Sequence, residues 1–146
     1  MNVWRVSDYA DLSGQGGIVA AARWHRAGTP VVYCADHPAT ALLEKLVHID
    51  VDDMPRGYTL LTIDLPDAPI GRVEVSDLPS GWMTDLAVTQ TIGSDLLERA
   101  EHLLVWVPSV LVPRAWNALL NPKHADAARC TVVDTISNLF DPRLIR

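Results

Sequence analysis

The sequence predicts a single α+β domain with about six to eight short strands and about three helices. Two observations lead there. The 146 residues, 49% of them hydrophobic, are enough for one packed core and too apolar for a disordered chain. The apolar residues also fall in short runs punctuated by glycine and proline, with no repeat, linker or low-complexity stretch, so one domain spans residues 1–146.

Taken in order, Val3 to Val6 alternates and reads as a first strand that carries Arg5. Residues 13–17, Ser-Gly-Gln-Gly-Gly, read as a flexible turn, without the lysine-serine ending of a phosphate loop. Ala20 to His25 and Val31 to Ala35 are strand-length runs on either side of Arg26-Ala27-Gly28-Thr29-Pro30. They predict a hairpin presenting Arg23 and Tyr33. Asp36-His37-Pro38 opens a helix continuing over 39–49. Its expected core stripe is Leu42, Leu46 and Ile49, joined by Leu43 and Val47, which places Thr40, Glu44 and His48 on the polar face.

Residues 50–57 read as a polar loop and Tyr58 to Leu65 as a strand, with another expected over Arg72 to Val75. Leu78 to Trp82 is turn-rich. Thr91 to Glu101 reads as a helix with Asp95 in its first turn, and Leu103 to Val107 as a buried strand. Pro108 and Pro113 force bends that expose Ser109 at a strand end. Ala115 to Leu120 reads as a short helix stopped by Asn121-Pro122, and Cys130 to Thr135 as a late strand.

Composition excludes several classes. No apolar run approaches the roughly 20 residues of a membrane span, and the N-terminus lacks a signal peptide's basic start and apolar core, which together predict a cytoplasmic protein. Cys34 and Cys130 are then expected as reduced thiols. The five histidines show no zinc-site spacing, so no metal is expected. Twelve basic against eighteen acidic residues give a net charge of −6, which opposes direct nucleic-acid binding and leaves any anionic ligand to a few placed arginines.

Three segments stand out as a site: Arg23-Trp24 with Tyr33, Glu44 on the following helix, and Ser109 with Asn121-Pro122-Lys123-His124. Each has an ordinary alternative, as surface charge, core packing or a turn. Taken together, Ala-Ala-Arg23-Trp24-His, Gly28, Val-Val-Tyr33, Ala41-Leu-Leu-Glu44 and Val47-His48 resemble the first half of the RES domain. Val107-Pro108-Ser109, Asn117, Asn121-Pro122-Lys123-His124 and Phe140-Asp141-Pro142-Arg143-Leu144 resemble its second half. The naming arginine, glutamate and serine of that family match Arg23, Glu44 and Ser109. The asparagine at 117 is followed by Ala118, where relatives often carry an aromatic.

The resemblance implies an ADP-ribosyltransferase-like fold and the toxin half of a toxin–antitoxin pair, bound in a hetero-oligomer with an antitoxin that carries an Xre-like helix-turn-helix. It also implies that NAD is consumed as substrate, by hydrolysis or phosphorolysis of the nicotinamide–ribose bond, with no resident cofactor. The implied catalytic residues are Arg23, Tyr33 and Glu44. Arg23 offers a bidentate fork to the phosphates with Arg5 as second candidate, Tyr33 stacks on nicotinamide or ribose, and Glu44 stabilises positive charge on the ribose. Ser109 is expected to bind rather than attack, since no histidine–acid pair activates it. Trp24, Asn121 and His124 are further binding candidates, with packing and turn roles as their alternatives. Transfer of ADP-ribose to a protein, or less favourably cleavage of RNA, are the competing activities.

Overall fold

The computed structural model describes residues 1–49 and 58–144. One mixed seven-stranded sheet organises them, built from β1 (Asn2–Ser7), β2 (Val32–Ala35), β3 (Thr59–Asp64), β4 (Ile70–Arg72), β5 (Leu104–Pro108), β6 (Trp116–Leu120) and β7 (Thr131–Ile136). The order across the sheet is β4-β5-β6-β2-β1-β3-β7, and β4–β5 is its one parallel pair. Three α-helices accompany it: α1 (Gln15–Val19), α2 (Pro38–Leu46) and α3 (Leu86–Arg99). The expected α+β class and the approximate element counts hold. The loop expected over residues 50–57 lies outside the described residues.

The centre of the sheet explains one departure from expectation. Residues 116–120 form a strand, not a helix, because β6 lies between β5 and β2 and pairs with both. Ala118, Leu119 and Leu120 are at most 2% exposed, so burial on both faces overrides the helix propensity of alanine and leucine. Around this strand Val3, Val32, Leu61, Ile63, Leu103 and Leu104 build the core on one face. Trp24, Val105, Val107 and Leu119 build it on the other.

A second departure concerns residues 20–25. They do not pair with 31–35 as a hairpin; only a tight turn closes, with the Ala22 amide donating to the His25 carbonyl at 3.2 Å. Side chains of α3 take the place of a strand partner. Gln90 Nε2 donates to the Ala22 carbonyl at 2.9 Å, and Thr89 Oγ1 donates to the Arg23 carbonyl at 2.6 Å. Ser94 Oγ accepts from the Arg26 amide at 2.9 Å. Gly93 of α3 lies against the Trp24 backbone. Helix α3 itself starts earlier than expected, capped by Asp85 on the Val88 amide, so Asp95 sits inside it and pairs with Arg99 one turn on.

Smaller differences follow the same logic of tertiary context. The flexible turn at 13–17 runs into the short helix α1, and the strand expected over 72–75 is β4 followed by a 3-10 turn at Val75–Asp77. Trp82 is core, 6% exposed, whereas Met83 and Leu86 are exposed.

Candidate functional site

Strands β1 and β2 meet at one residue pair, Trp4 with Ala35, whereas β1 pairs with β3 along all six of its residues. Past that pair the two strands part, and the gap between Arg5–Val6 and Tyr33–Cys34 opens a cleft. Helix α2 closes one side. Its start is set by Pro38 in the first turn and by His37, whose Nδ1 accepts from the Ala39 amide at 3.1 Å.

The face that α2 turns inward is not its apolar stripe. Thr40 and Ala41 are buried against the sheet, while Leu43 and Val47 are exposed at 45% and 56%. Leu42, Leu46 and Ile49 are only half-buried. Small residues at 40 and 41 let the helix approach Val6 and Ala35 closely. Glu44, three and four positions on, therefore lies on the inward face, half-buried in the wall of the cleft.

Two side chains from the other half of the sequence hold it there. Ser109 Oγ and Asn117 Nδ2 each donate to Glu44 Oε1 at 2.8 Å. Ser109, at the end of β5, also accepts from the Leu111 and Val112 amides at 3.1 Å, so the bend after Pro108 is tied to the carboxylate. Among the described residues nothing bonds Oε2. Glu44 thus lines, with one oxygen held and the other unpartnered, a space lined also by Arg5, Tyr33, Lys45 and Cys34. Burial lowers the Lys45 pKa, and its ammonium lies 4.3 Å from the centre of the Tyr58 ring. Burial pushes the Cys34 thiol up to about 12, which leaves it protonated and a poor nucleophile.

Tyr33 is the second fixed element. His25 Nε2 faces the carbonyl oxygens of Ala20 at 2.9 Å and Gly17 at 3.1 Å, which can only accept, so Nε2 carries the proton. Nδ1 then accepts from the Tyr33 hydroxyl at 2.7 Å, and that oxygen in turn accepts from the Trp24 amide at 3.1 Å. Burial raises the Tyr33 pKa, and with both hydrogen-bonding roles of the hydroxyl taken, the ring is what it offers to the cleft. Tyr33→Phe is expected to keep the ring but leave a buried imidazole nitrogen and an amide unpaired. A cost of about 1–3 kcal/mol follows. Thermal unfolding should show a drop of roughly 3–9 °C for a chain of this size.

The remaining candidates are placed less uniformly. Arg5 lines the cleft and a second lobe that shares Tyr33 as its wall, together with Tyr9, Asp11 and the segments 14–17 and 20–22. Arg23 lines neither lobe; its Nη1 donates to the Met83 carbonyl at 2.7 Å. Trp24 is 1% exposed, its ring 6.0 Å from Trp82, so the indole is core packing and the binding role expected of it is corrected. Asn121 and His124 also belong to structure rather than to this cleft. Asn121 Nδ2 donates to the Leu97 carbonyl at 2.8 Å and its Oδ1 accepts from Lys123, and His124 Nδ1 accepts from the Asp126 amide. Asn121 follows β6 at the end opposite Asn117, roughly 13 Å away along the strand.

Asn117 is the residue that inspection of the sequence undervalued. Reading 115–120 as a helix hid it, although the match of Asn117 to the family pattern was a usable signal. Among the described residues no cluster of three or more histidine, cysteine or acidic side chains could hold a metal ion, and no helix is long and apolar enough to cross a membrane. Cys34 and Cys130 are free thiols.

Comparison with known proteins gives this geometry a setting. A chain in the crystal structure of the M. tuberculosis MbcT–MbcA toxin–antitoxin complex has the same fold, with a TM-score of 0.69 at 17% identity over 99% of this chain and 86% of that one. Toxin Res of Pseudomonas putida is 44% identical over 92% of this chain and 94% of its own length. The Prs ADP-ribosylating toxin of a Sphingobium species is 36% identical over 98% and 96%, and Toxin Res of Photorhabdus laumondii 35% over 92% and 88%. The sequence matches the RES domain over residues 2–141, and with Glu44 and Ser109 joined in one site, the chain belongs to the RES domain family.

Proposed function

We propose that this protein is the toxin of a toxin–antitoxin pair and that it breaks the nicotinamide–ribose bond of NAD in the cytoplasm. The observation that carries the reading is Glu44, a carboxylate clamped through one oxygen by Ser109 and Asn117 in the wall of a cleft that Tyr33 and Arg5 also line. When the bond between ribose C1′ and the pyridinium nitrogen breaks, its electron pair goes to the ring. Neutral nicotinamide leaves, and positive charge spreads over C1′ and the ribose ring oxygen. A preorganised anion stabilises that charge without having to reorient. An acceptor hydroxyl then bonds C1′ and gives its proton to solvent.

Arg5 in the cleft supplies a cationic group for the phosphates and Tyr33 the surface for nicotinamide or ribose, while Arg23, which lines neither lobe, reaches the phosphates only by leaving the Met83 carbonyl. A partner with an Xre-like helix-turn-helix restrains the enzyme by covering the cleft. Transfer of ADP-ribose to a protein is the second reading, favoured by the name of the Sphingobium relative. It needs the same bond cleavage and differs in the acceptor.

Incubating the purified protein separately with NAD and with RNA tests the proposal. Loss of NAD with release of nicotinamide and intact RNA is expected; shortened RNA with NAD untouched would overturn it. Free ADP-ribose as product indicates water as acceptor, ADP-ribose carrying a phosphate on that ribose carbon indicates phosphate, and ADP-ribose retained on a protein indicates transfer. Titrating the partner should suppress NAD loss, and normal turnover in the saturated complex would rule out blockade of the cleft.

A further inference from the structure

The lobe beside Glu44 has a volume of about 210 Å³. That falls below the roughly 300 Å³ at which sites for drug-sized ligands begin, so it suits nicotinamide with its ribose and not a whole dinucleotide. The second lobe, about 510 Å³, shares Arg5 and Tyr33 with the first. Because Arg5 on β1 and Tyr33 on β2 line both, the two lobes adjoin at the gap between these strands.

We infer that the second lobe binds the adenosine diphosphate half of the substrate, with Arg5 at the junction on the pyrophosphate and Asp11 on the adenosine ribose. This rests on the NAD-cleaving reading and adds where the rest of that molecule lies. Among the described residues Arg5 makes no hydrogen bond or ion pair, so its planar fork is available to two phosphates. Asp11 has one oxygen, Oδ1, held by the Ser13 amide and hydroxyl at 3.1 and 2.5 Å. Its other oxygen is free among the described residues to accept from ribose hydroxyls, as a carboxylate does in dinucleotide-binding folds. The wall between is small: Gly14, Gly16, Gly17, Ala20, Ala21 and Ala22 let a flat base come close to the main chain. Gly16 lines this lobe, and a Cβ added there would meet nothing within 4 Å, so a large side chain can be placed at the wall of the lobe without a backbone clash.

Gly16→Trp and Asp11→Ala, checked for folding by circular dichroism, are compared with wild type on NAD and on nicotinamide mononucleotide, which lacks the adenylate. In the wild type NAD should show a KM about tenfold or more below that of the mononucleotide. Gly16→Trp should raise the KM for NAD about tenfold with kcat nearly unchanged, and leave mononucleotide turnover as it was. Asp11→Ala, an exposed change that leaves folding intact, should shift the KM for NAD in the same direction. Equal KM for the two wild-type substrates, or equal losses on both in Gly16→Trp, would overturn the assignment. Calorimetry with ADP judges the lobe without turnover: ADP should bind wild type and bind Gly16→Trp about tenfold more weakly, and ADP binding that is absent or unchanged overturns the assignment even where NAD is consumed. Lobe-dependent ADP binding in a protein that leaves NAD intact would instead sustain the lobe and remove the cleavage reading.

Discussion

Replacing Glu44 by glutamine is expected to slow NAD consumption at saturating substrate about a hundredfold to a thousandfold, a loss of roughly 2.7–4 kcal/mol of transition-state stabilisation. The substitution is close to isosteric, and its side-chain oxygen can still accept from Ser109 and Asn117 as Oε1 does. What disappears is the negative charge that the proposed mechanism sets against the ribose, with the second oxygen now an amide donor. NAD affinity should change less than rate, because the charge on the ribose that Glu44 opposes develops only as the bond breaks. Circular dichroism and saturated rates measured side by side decide the matter. Equal rates would return Glu44 to a structural role in tying α2 to β5 and β6.

The second large effect is expected from a change that would normally help a helix. Glycine to alanine inside an exposed helix gains about 0.8–1 kcal/mol. At Gly93 the new methyl would land 1.7 Å from the Trp24 carbonyl oxygen and 2.7 Å from its carbon, both backbone atoms. Helix α3 would have to retreat, loosening Thr89 from Arg23 and Gln90 from Ala22. Overpacking of this kind costs about 1–3 kcal/mol and occasionally more, and the lost hydrogen bonds add to it. An unfolding temperature lowered by about 6–12 °C is expected. Activity should fall as well, since residues 22–25 carry Arg23 and the His25 that holds Tyr33. An unchanged melting temperature would mean that α3 packs farther from Trp24.

The contrast between what could and could not be read from the chain has a consistent physical cause. β1, β3, β5 and β7 were legible because their alternation or continuous burial is local. β6 was not, because Trp-Asn-Ala-Leu-Leu has the propensity of a helix and becomes a strand only through neighbours on both sides. The segment 20–25 looked like half a hairpin because its main-chain partners are side chains of α3 about 65 residues away, which no local pattern announces.

In the site, Glu44 was reached through its match to a family pattern, while the apolar stripe of its helix pointed the other way. Reading Leu42, Leu46 and Ile49 as the buried face puts Glu44 in solvent; the small residues Thr40 and Ala41 reverse that, because close approach to the sheet selects for size as much as for hydrophobicity. Trp24 is the opposite case: it is a conspicuous aromatic beside an arginine, and its ring packs in the core, the alternative to binding that the sequence had left open. The donors on Glu44 come from 65 and 73 residues downstream, so their convergence is a property of the sheet and not of any stretch of sequence.

That separation bears on how a cell can make such a protein. Arg23, Tyr33 and Glu44 all leave the ribosome early, but Tyr33 stands on a strand whose ladder partner, Leu119, and Glu44 on a helix whose anchors, Ser109 and Asn117, are synthesised much later. Until the chain has grown past β6 there is no oriented carboxylate. A chain cut short before β6 is therefore expected to lack the donors that fix Glu44, whatever its first half has already formed.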